Sequence, residues 1–178
     1  MSVSMKRFLI LCLLFCAVGL SAQEQTGVPS YREKGYAGNV SFTDQYLILI
    51  GLDTSHGYML NEREFIGGGL GFYVAPMKGS PIVYHLYGEY KFYWKEKWST
   101  PTTGIKVGYG GAIRTSQEDF VMPGAEIKVE PYIGWDWGLQ NGKGFSLSLG
   151  ANVFVGNVFI QAEPYFYVMP KLNLGFSF

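Results

Sequence analysis

Cysteine is nearly missing from this chain: Cys12 and Cys16 are its only two in 178 residues, and both lie in one apolar run near the amino-terminus. Once that run is removed, disulfides, thiolate metal sites and cysteine nucleophiles are excluded. Histidine is equally scarce. His56 and His85 stand far apart, and no HExxH or other ligand-spaced cluster accompanies them. Charge is sparse at 16%, with 14 basic and 14 acidic residues, so no basic excess points to nucleic acid. No later apolar run is long enough to cross a bilayer as a helix. No segment carries a helical period either, which removes the crossover helices that parallel strands require. What the chain does have is 17% aromatic residues and 24 glycines, a mix suited to an antiparallel β protein with many turns.

The amino-terminal run is short. Lys6-Arg7 precedes Phe8 to Leu20, and Ser21-Ala22-Gln23 follows. A positive start, an apolar core of about 13 residues and small residues at the exit describe a secretory signal peptide, residues 1–22, cut after Ala22. Phe15 is too large for the residue that precedes a lipidated cysteine, so Cys16 is not read as a lipid anchor. Without Lys6 and Arg7 the counts become 12 basic and 14 acidic, a formal charge near −2. Residues 23–34 are polar and read as a short periplasmic lead-in.

From Gly35 onward the chain is a series of alternating segments. Tyr36 to Phe42 is the first, turned by Thr43-Asp44-Gln45 into Tyr46 to Leu60. Asn61-Glu62-Arg63 leads to Phe65 to Val74, and Ile82 to Trp94 is the fourth. After Glu96 to Pro101 comes Thr103 to Arg114, followed by Ala125 to Leu139. Asn141-Gly142-Lys143-Gly144 is a hairpin signal before Phe145 to Val155. Gly156-Asn157 is read as breaking the register. Tyr165 to Phe178 closes the series, with Leu172, Leu174, Phe176 and Phe178 on one face and Asn173, Gly175 and Ser177 on the other. Eight segments with short connections predict an all-β, eight-stranded antiparallel up-and-down barrel over residues 35–178.

Alternation alone does not say which face meets which solvent. With the amino-terminus periplasmic, segments two, four, six and eight end at that level on Tyr58, Phe92, Trp94, Trp135, Trp137, Phe176 and Phe178. Phe145 opens the seventh segment there. The middles are aliphatic, at Ile48, Ile50, Leu86, Val107, Val129 and Leu149. Aromatics ringing an aliphatic band are the girdle of a transmembrane barrel. The opposite face mixes small residues with Asp53, Glu89, Lys91, Lys106, Arg114, Glu126, Lys128, Glu130 and Asp136, which must then point inward and pair.

The residues Lys34-Gly35-Tyr36-Ala37-Gly38, Ser55-His56-Gly57-Tyr58, Phe65 to Phe72 and Leu172 to Phe178 resemble the small eight-stranded outer-membrane barrels of Gram-negative bacteria, the OmpA/OmpX-like group. The resemblance implies residence in the outer membrane among lipid and lipopolysaccharide. It also implies that the strand ending at Phe178 is the signal read by the barrel-assembly machinery. No peptidoglycan-binding domain is expected after the barrel, so the tethering role of longer relatives is not implied.

Candidates for chemistry are few. His85, Glu89 and Lys91 share a parity and form a candidate acid/base cluster; the reading preferred is an interior salt-bridge and hydrogen-bond plug. Ser55 and His56 are adjacent on a strand, face opposite ways and cannot form a dyad. Gly67 to Gly71 is not a phosphate loop, since no helix and no Lys-Ser/Thr follow; it is read as easing a narrow coil. Tyr87, Tyr93 and Tyr132 add to the inward bulk, and little or no conductance is expected. The hairpin Val158 to Met169, with Phe159, Tyr165, Phe166 and Tyr167, is a candidate surface for a partner or for lipopolysaccharide. No catalytic, cofactor-binding or metal site is assigned. The expectation is a monomeric, non-catalytic barrel with a structural or surface-interaction role. A barrel for a small apolar ligand and a lipid A-modifying enzyme are the alternatives.

Overall fold

The computed structural model describes residues 32–45, 49–74, 82–113, 126–139, 143–156 and 165–178. The proposed signal peptide, Arg114 and the tip of the last hairpin, with Phe159, lie outside these. The strands are β1 (Gly35–Gln45), β2 (Leu49–Asn61), β3 (Glu64–Val74), β4 (Ile82–Tyr93), β5 (Ser99–Ile113), β6 (Glu126–Gly138), β7 (Gly144–Gly156) and β8 (Tyr165–Ser177). Each pairs antiparallel with its neighbours in sequence, and β8 returns to β1 to close the barrel. Among the described residues no helix is long and apolar enough to cross a membrane. The strands, 11 to 15 residues long, reach or exceed the ~9–11 that a tilted membrane strand needs.

Closure runs from Asn39↔Ser177 to Gln45↔Lys171. The last residue joins it: Gly38 N donates to Phe178 O at 2.8 Å and Phe178 N to Gly38 O at 3.0 Å. The pairing with β1 starts at Gly38 and runs on to Gln45, because strand tilt staggers the two ends of the sheet.

Two boundaries are corrected. Thr43, Asp44 and Gln45, read as a turn, continue β1; Thr43 and Gln45 point inward and are fully buried, extending the alternation by one more repeat. β5 begins at Ser99 rather than Thr103, and Pro101 lies within it. Its fixed φ is compatible with extended chain, and its carbonyl accepts from Trp94 N at 3.1 Å. Gly156, read as a register break, pairs in register with Tyr165. The ladder is instead interrupted between β6 and β7, where Glu130 and Pro131 pair with no residue of β7; a proline has no N–H to give.

Burial is inverted relative to a soluble protein. Leu52, Ile66, Leu70, Leu86, Val107, Ile133 and Leu149 are exposed, whereas Lys128, Lys171, Glu130, Asp53 and Asp136 are buried to 1% exposure or less. The outward aromatics Tyr58, Trp94, Trp135 and Phe178 stand at the end that carries the termini, as expected. Trp94 Nε1 donates to Thr103 Oγ1 at 3.3 Å and Trp135 Nε1 to Ser99 Oγ at 2.7 Å, so both indoles satisfy their polar edge on the wall itself. A second belt was not anticipated: Phe42, Phe72, Tyr109 and Phe166 face outward nearer the opposite end.

The inward glycines have a more specific use than easing a coil. A Cβ at Gly104 would fall on the ring of Tyr132, and one at Gly69 would lie 2.7 Å from the Tyr87 hydroxyl. Each leaves the space into which a large neighbour folds. Gly88, facing outward, has nothing closer than 3.9 Å. Gly104→Val is therefore expected to cost about 1–3 kcal/mol through overpacking, and Gly88→Ala to stay within about 0.5 kcal/mol of the parent. Heat-modifiable gel migration after graded urea treatment reads both.

Candidate functional site: the interior charge network

Among the described residues the lumen holds four buried lysines, Lys91, Lys106, Lys128 and Lys171, and four buried carboxylates, Asp53, Glu89, Glu130 and Asp136. They come from β2, β4, β5, β6 and β8, each at an inward parity. An unpaired charge in such an interior is costly, and pairing is what makes the burial tolerable.

At the centre two carboxylates share three lysines. Lys171 Nζ lies 2.5 Å from Asp53 Oδ2 and 3.0 Å from Glu130 Oε2. Lys128 Nζ lies 2.7 Å from Glu130 Oε2, and Lys106 Nζ 3.6 Å from Asp53 Oδ2. Tyr73 donates its hydroxyl to Asp53 Oδ1, and Thr43 Oγ1 stands 3.2 Å from Asp53 Oδ2. Nearer the termini, Lys91 Nζ pairs with Asp136 Oδ2 at 2.7 Å, and Tyr132 donates to Glu89 Oε1 at 2.6 Å.

His85, Glu89 and Lys91 share a strand and a parity, yet they do not converge. Glu89 goes to Tyr132 and Lys91 to Asp136, while His85 Nδ1 lies 3.1 Å from Lys128 Nζ. An ammonium can only donate, so Nδ1 accepts and the ring proton sits on Nε2. Tyr73 and Phe154 hold the ring, with centroids at 4.9 and 5.5 Å. The acid/base cluster dissolves into three separate pairs, which is the plug. Among the described residues no group of three or more His, Cys, Asp or Glu is placed to hold a metal.

The sequence reading missed several members. Lys171 carries the same parity as Asn173, Gly175 and Ser177, a signal that was there to be used. Arg32, assigned to the polar lead-in, is buried at the barrel mouth. Its Nη2 donates to Lys95 O at 3.1 Å and Lys97 O at 2.7 Å, and its guanidinium lies 4.2 Å from the centre of the Tyr93 ring. Tyr93, Met59 and Phe65 form a small apolar cluster there, so the lumen is not polar throughout.

Between this mouth and the central network lies a cavity of about 50 Å³. Ser41, Ser55, Ser146, Ser148 and Asn173 line one side, and Glu89, Lys91, Lys106 and Asp136 the other. At ~10–15 Å³ per water it takes a few waters, far below the ~300–1,000 Å³ of a ligand pocket.

On the outer wall, Ser55 points inward and His56 outward, as expected. His56 Nδ1 lies 2.6 Å from the Tyr36 hydroxyl and Nε2 2.9 Å from Thr54 Oγ1. In the last hairpin the aromatics divide. Phe166 faces outward, whereas Tyr167 turns in, stacks on Phe154 at 4.6 Å and donates to Glu126 Oε2 at 3.1 Å.

A closed eight-stranded antiparallel barrel, apolar outside and charged inside, is a small transmembrane β-barrel. No protein-family model matches the sequence, and no curated protein matches it. Among solved structures the chain is similar to Neisserial surface protein A, with TM-score 0.60 and 10% identity, covering 81% of this chain and 94% of that one. It is similar also to the N-terminal β-barrel domain of Pseudomonas aeruginosa OprF, with TM-score 0.52 and 10% identity, over 82% and 98% of the two chains. The outer membrane enzyme PagL matches at TM-score 0.44 and 10% identity, over 79% and 97%. Identity this low speaks to the fold alone.

The network yields a stability prediction. Lys171→Met strips Asp53 and Glu130 of a shared cation and is expected to cost about 3–5 kcal/mol. Adding Asp53→Asn should recover part of that, because the two sites are coupled. Lys143→Met, at an exposed position just before β7, should change stability by less than about 0.5 kcal/mol. Urea unfolding in lipid vesicles measures all three.

Proposed function

We propose that this chain is a small integral outer-membrane barrel with a structural or surface-interaction role and no catalysis, inserted with its termini toward the periplasm. The carrying observation is the lumen itself. Its central section is filled by Asp53, Tyr73, Lys106, Lys128, Glu130 and Lys171, which bond to one another across the barrel axis. The similar solved structure named as a surface protein supports the location.

The alternatives are weaker on physical grounds. A cavity of about 50 Å³, lined by Phe65, Tyr93 and Tyr132 as well as serines and charges, is too small for an apolar ligand. A lipid A-modifying enzyme needs an activated nucleophile facing the bilayer, and the approach to one here is Thr54 beside His56, oriented by a tyrosine rather than a carboxylate. The surface proposed to meet lipopolysaccharide, or a protein partner, is the far end; the outward Phe166 and Val168 support that reading. Insertion is assigned to the barrel-assembly machinery reading β8 through Phe178.

In planar bilayers the folded protein should give current at or below noise, and discrete channel steps would overturn the plugged reading. Lipid A incubated with the protein in mixed micelles should keep its acyl number; loss or gain of a chain by mass spectrometry would make it an enzyme.

A further inference from the structure

Polar side chains on the lipid-facing wall are expensive unless they find partners, and three of them gather at one place here. Tyr36, Thr54 and His56 face outward on β1 and β2, joined Tyr36–His56–Thr54 by the two hydrogen bonds of 2.6 and 2.9 Å. Tyr36 is 66% exposed and His56 is exposed beside it. The trio lies at the height of Tyr58 and Phe178, where an aromatic girdle marks the bilayer interface; the Phe178 ring stands 6.2 Å from that of His56, edge to face.

The wall beside His56 is hollowed. Its cross-strand neighbour is Gly68, and the neighbour of Gly68 is Gly88, both outward and exposed. A Cβ at Gly88 would meet nothing within 3.9 Å, and one at Gly68 only the Tyr87 carbonyl at 3.3 Å. Ile66 and Tyr90 raise one bank of this trough, and Leu70 and Leu86 the other. An apolar furrow that begins at a polar cluster has the outline of one lipid: headgroup at one end, acyl chain along the other.

We propose that Tyr36, Thr54 and His56 form a binding site for a single glycerophospholipid of the periplasmic leaflet, its phosphate or ester oxygens on the trio and one acyl chain over Gly68 and Gly88. The chemistry fits. With one ring nitrogen donating and the other accepting, His56 gives its N–H to one hydroxyl oxygen, which frees that residue's O–H, on Tyr36 or on Thr54, to donate to phosphate oxygen. Lys34, exposed two residues before Tyr36, adds a positive charge at this rim. Glu64, the acid on the neighbouring strand, is already held by Asn61 Nδ2 at 2.5 Å and the Tyr90 hydroxyl at 2.9 Å. The choice of leaflet rests on the outer-membrane orientation proposed above.

The test is native mass spectrometry of the full barrel released from nanodiscs of phosphatidylethanolamine and phosphatidylglycerol, with a parallel arm containing lipopolysaccharide. The parent protein should retain one phospholipid. His56→Leu, and Tyr36→Phe with Thr54→Val, should lower that retained fraction about tenfold, the loss expected of one or two charge-assisted hydrogen bonds. Gly88→Leu fills the trough without touching the trio and should lower it as well. Equal retention in all variants overturns the site, and so does retention of lipopolysaccharide alone or of a second copy of the chain in place of lipid. Release of lysophospholipid would also overturn it, by making the trio an acyl-transfer centre. Heat-modifiable migration of every variant shows that the barrel has inserted. A parent that fails to insert refutes the membrane reading, whereas an inserted parent without lipid refutes the site alone.

Discussion

Lys171 is the residue on which the interior turns. Its ammonium reaches Asp53 of β2 at 2.5 Å and Glu130 of β6 at 3.0 Å, tying the closing strand to two others across the lumen. Four cations and four anions can be buried together only if every one has a partner close by, since desolvation removes several kcal/mol per ion before any attraction is regained. That constraint dictates much else. It requires glycines opposite the large rings, so that Tyr73 and Tyr132 can bring hydroxyls to the carboxylates. It also requires strands in a register that places Lys106, Lys128 and Lys171 around the same two acids.

The exterior answers a second constraint. No backbone polar group can be left open to hydrocarbon, so β8 must find β1, and the last residue takes part through Gly38 and Phe178. Where a proline interrupts a ladder, as Pro131 does between β6 and β7, the neighbouring wall still holds. The outward trio Tyr36–His56–Thr54 belongs to this surface rather than to the lumen, and its polarity suits the interface better than the hydrocarbon core.

Much of the fold was legible in the residues. A period of two needs no tertiary information, so eight segments, their faces and the inversion of apolar and polar sides could be read from Ile82 to Trp94 or Ala125 to Leu139. Strand ends were less legible. Thr43 and Gln45 look like part of a turn because they are polar and flank Asp44, a turn former, and Pro101 looks like a breaker although extended chain tolerates it. Arg32 was invisible as a structural residue, because its partners are the carbonyls of a turn over sixty positions away. Met59 and Phe65 were missed for the opposite reason: an apolar side chain at a polar parity contradicts the pattern that identified the strand.

By itself, then, the sequence determined the class of object: alternation dictates strands, strands without crossovers dictate an up-and-down meander, and an aromatic girdle beside an aliphatic band dictates a bilayer outside. Only the tertiary structure decided which charges meet. His85, Glu89 and Lys91 share a strand and a parity, yet they part to three different partners, because a side chain in a narrow barrel reaches across the axis as readily as along its own strand. The same holds outside, where Thr54 and His56 become a site only through Tyr36 on the next strand. Pairing across space depends on tilt and stagger, and neither is written in the spacing of residues along the chain.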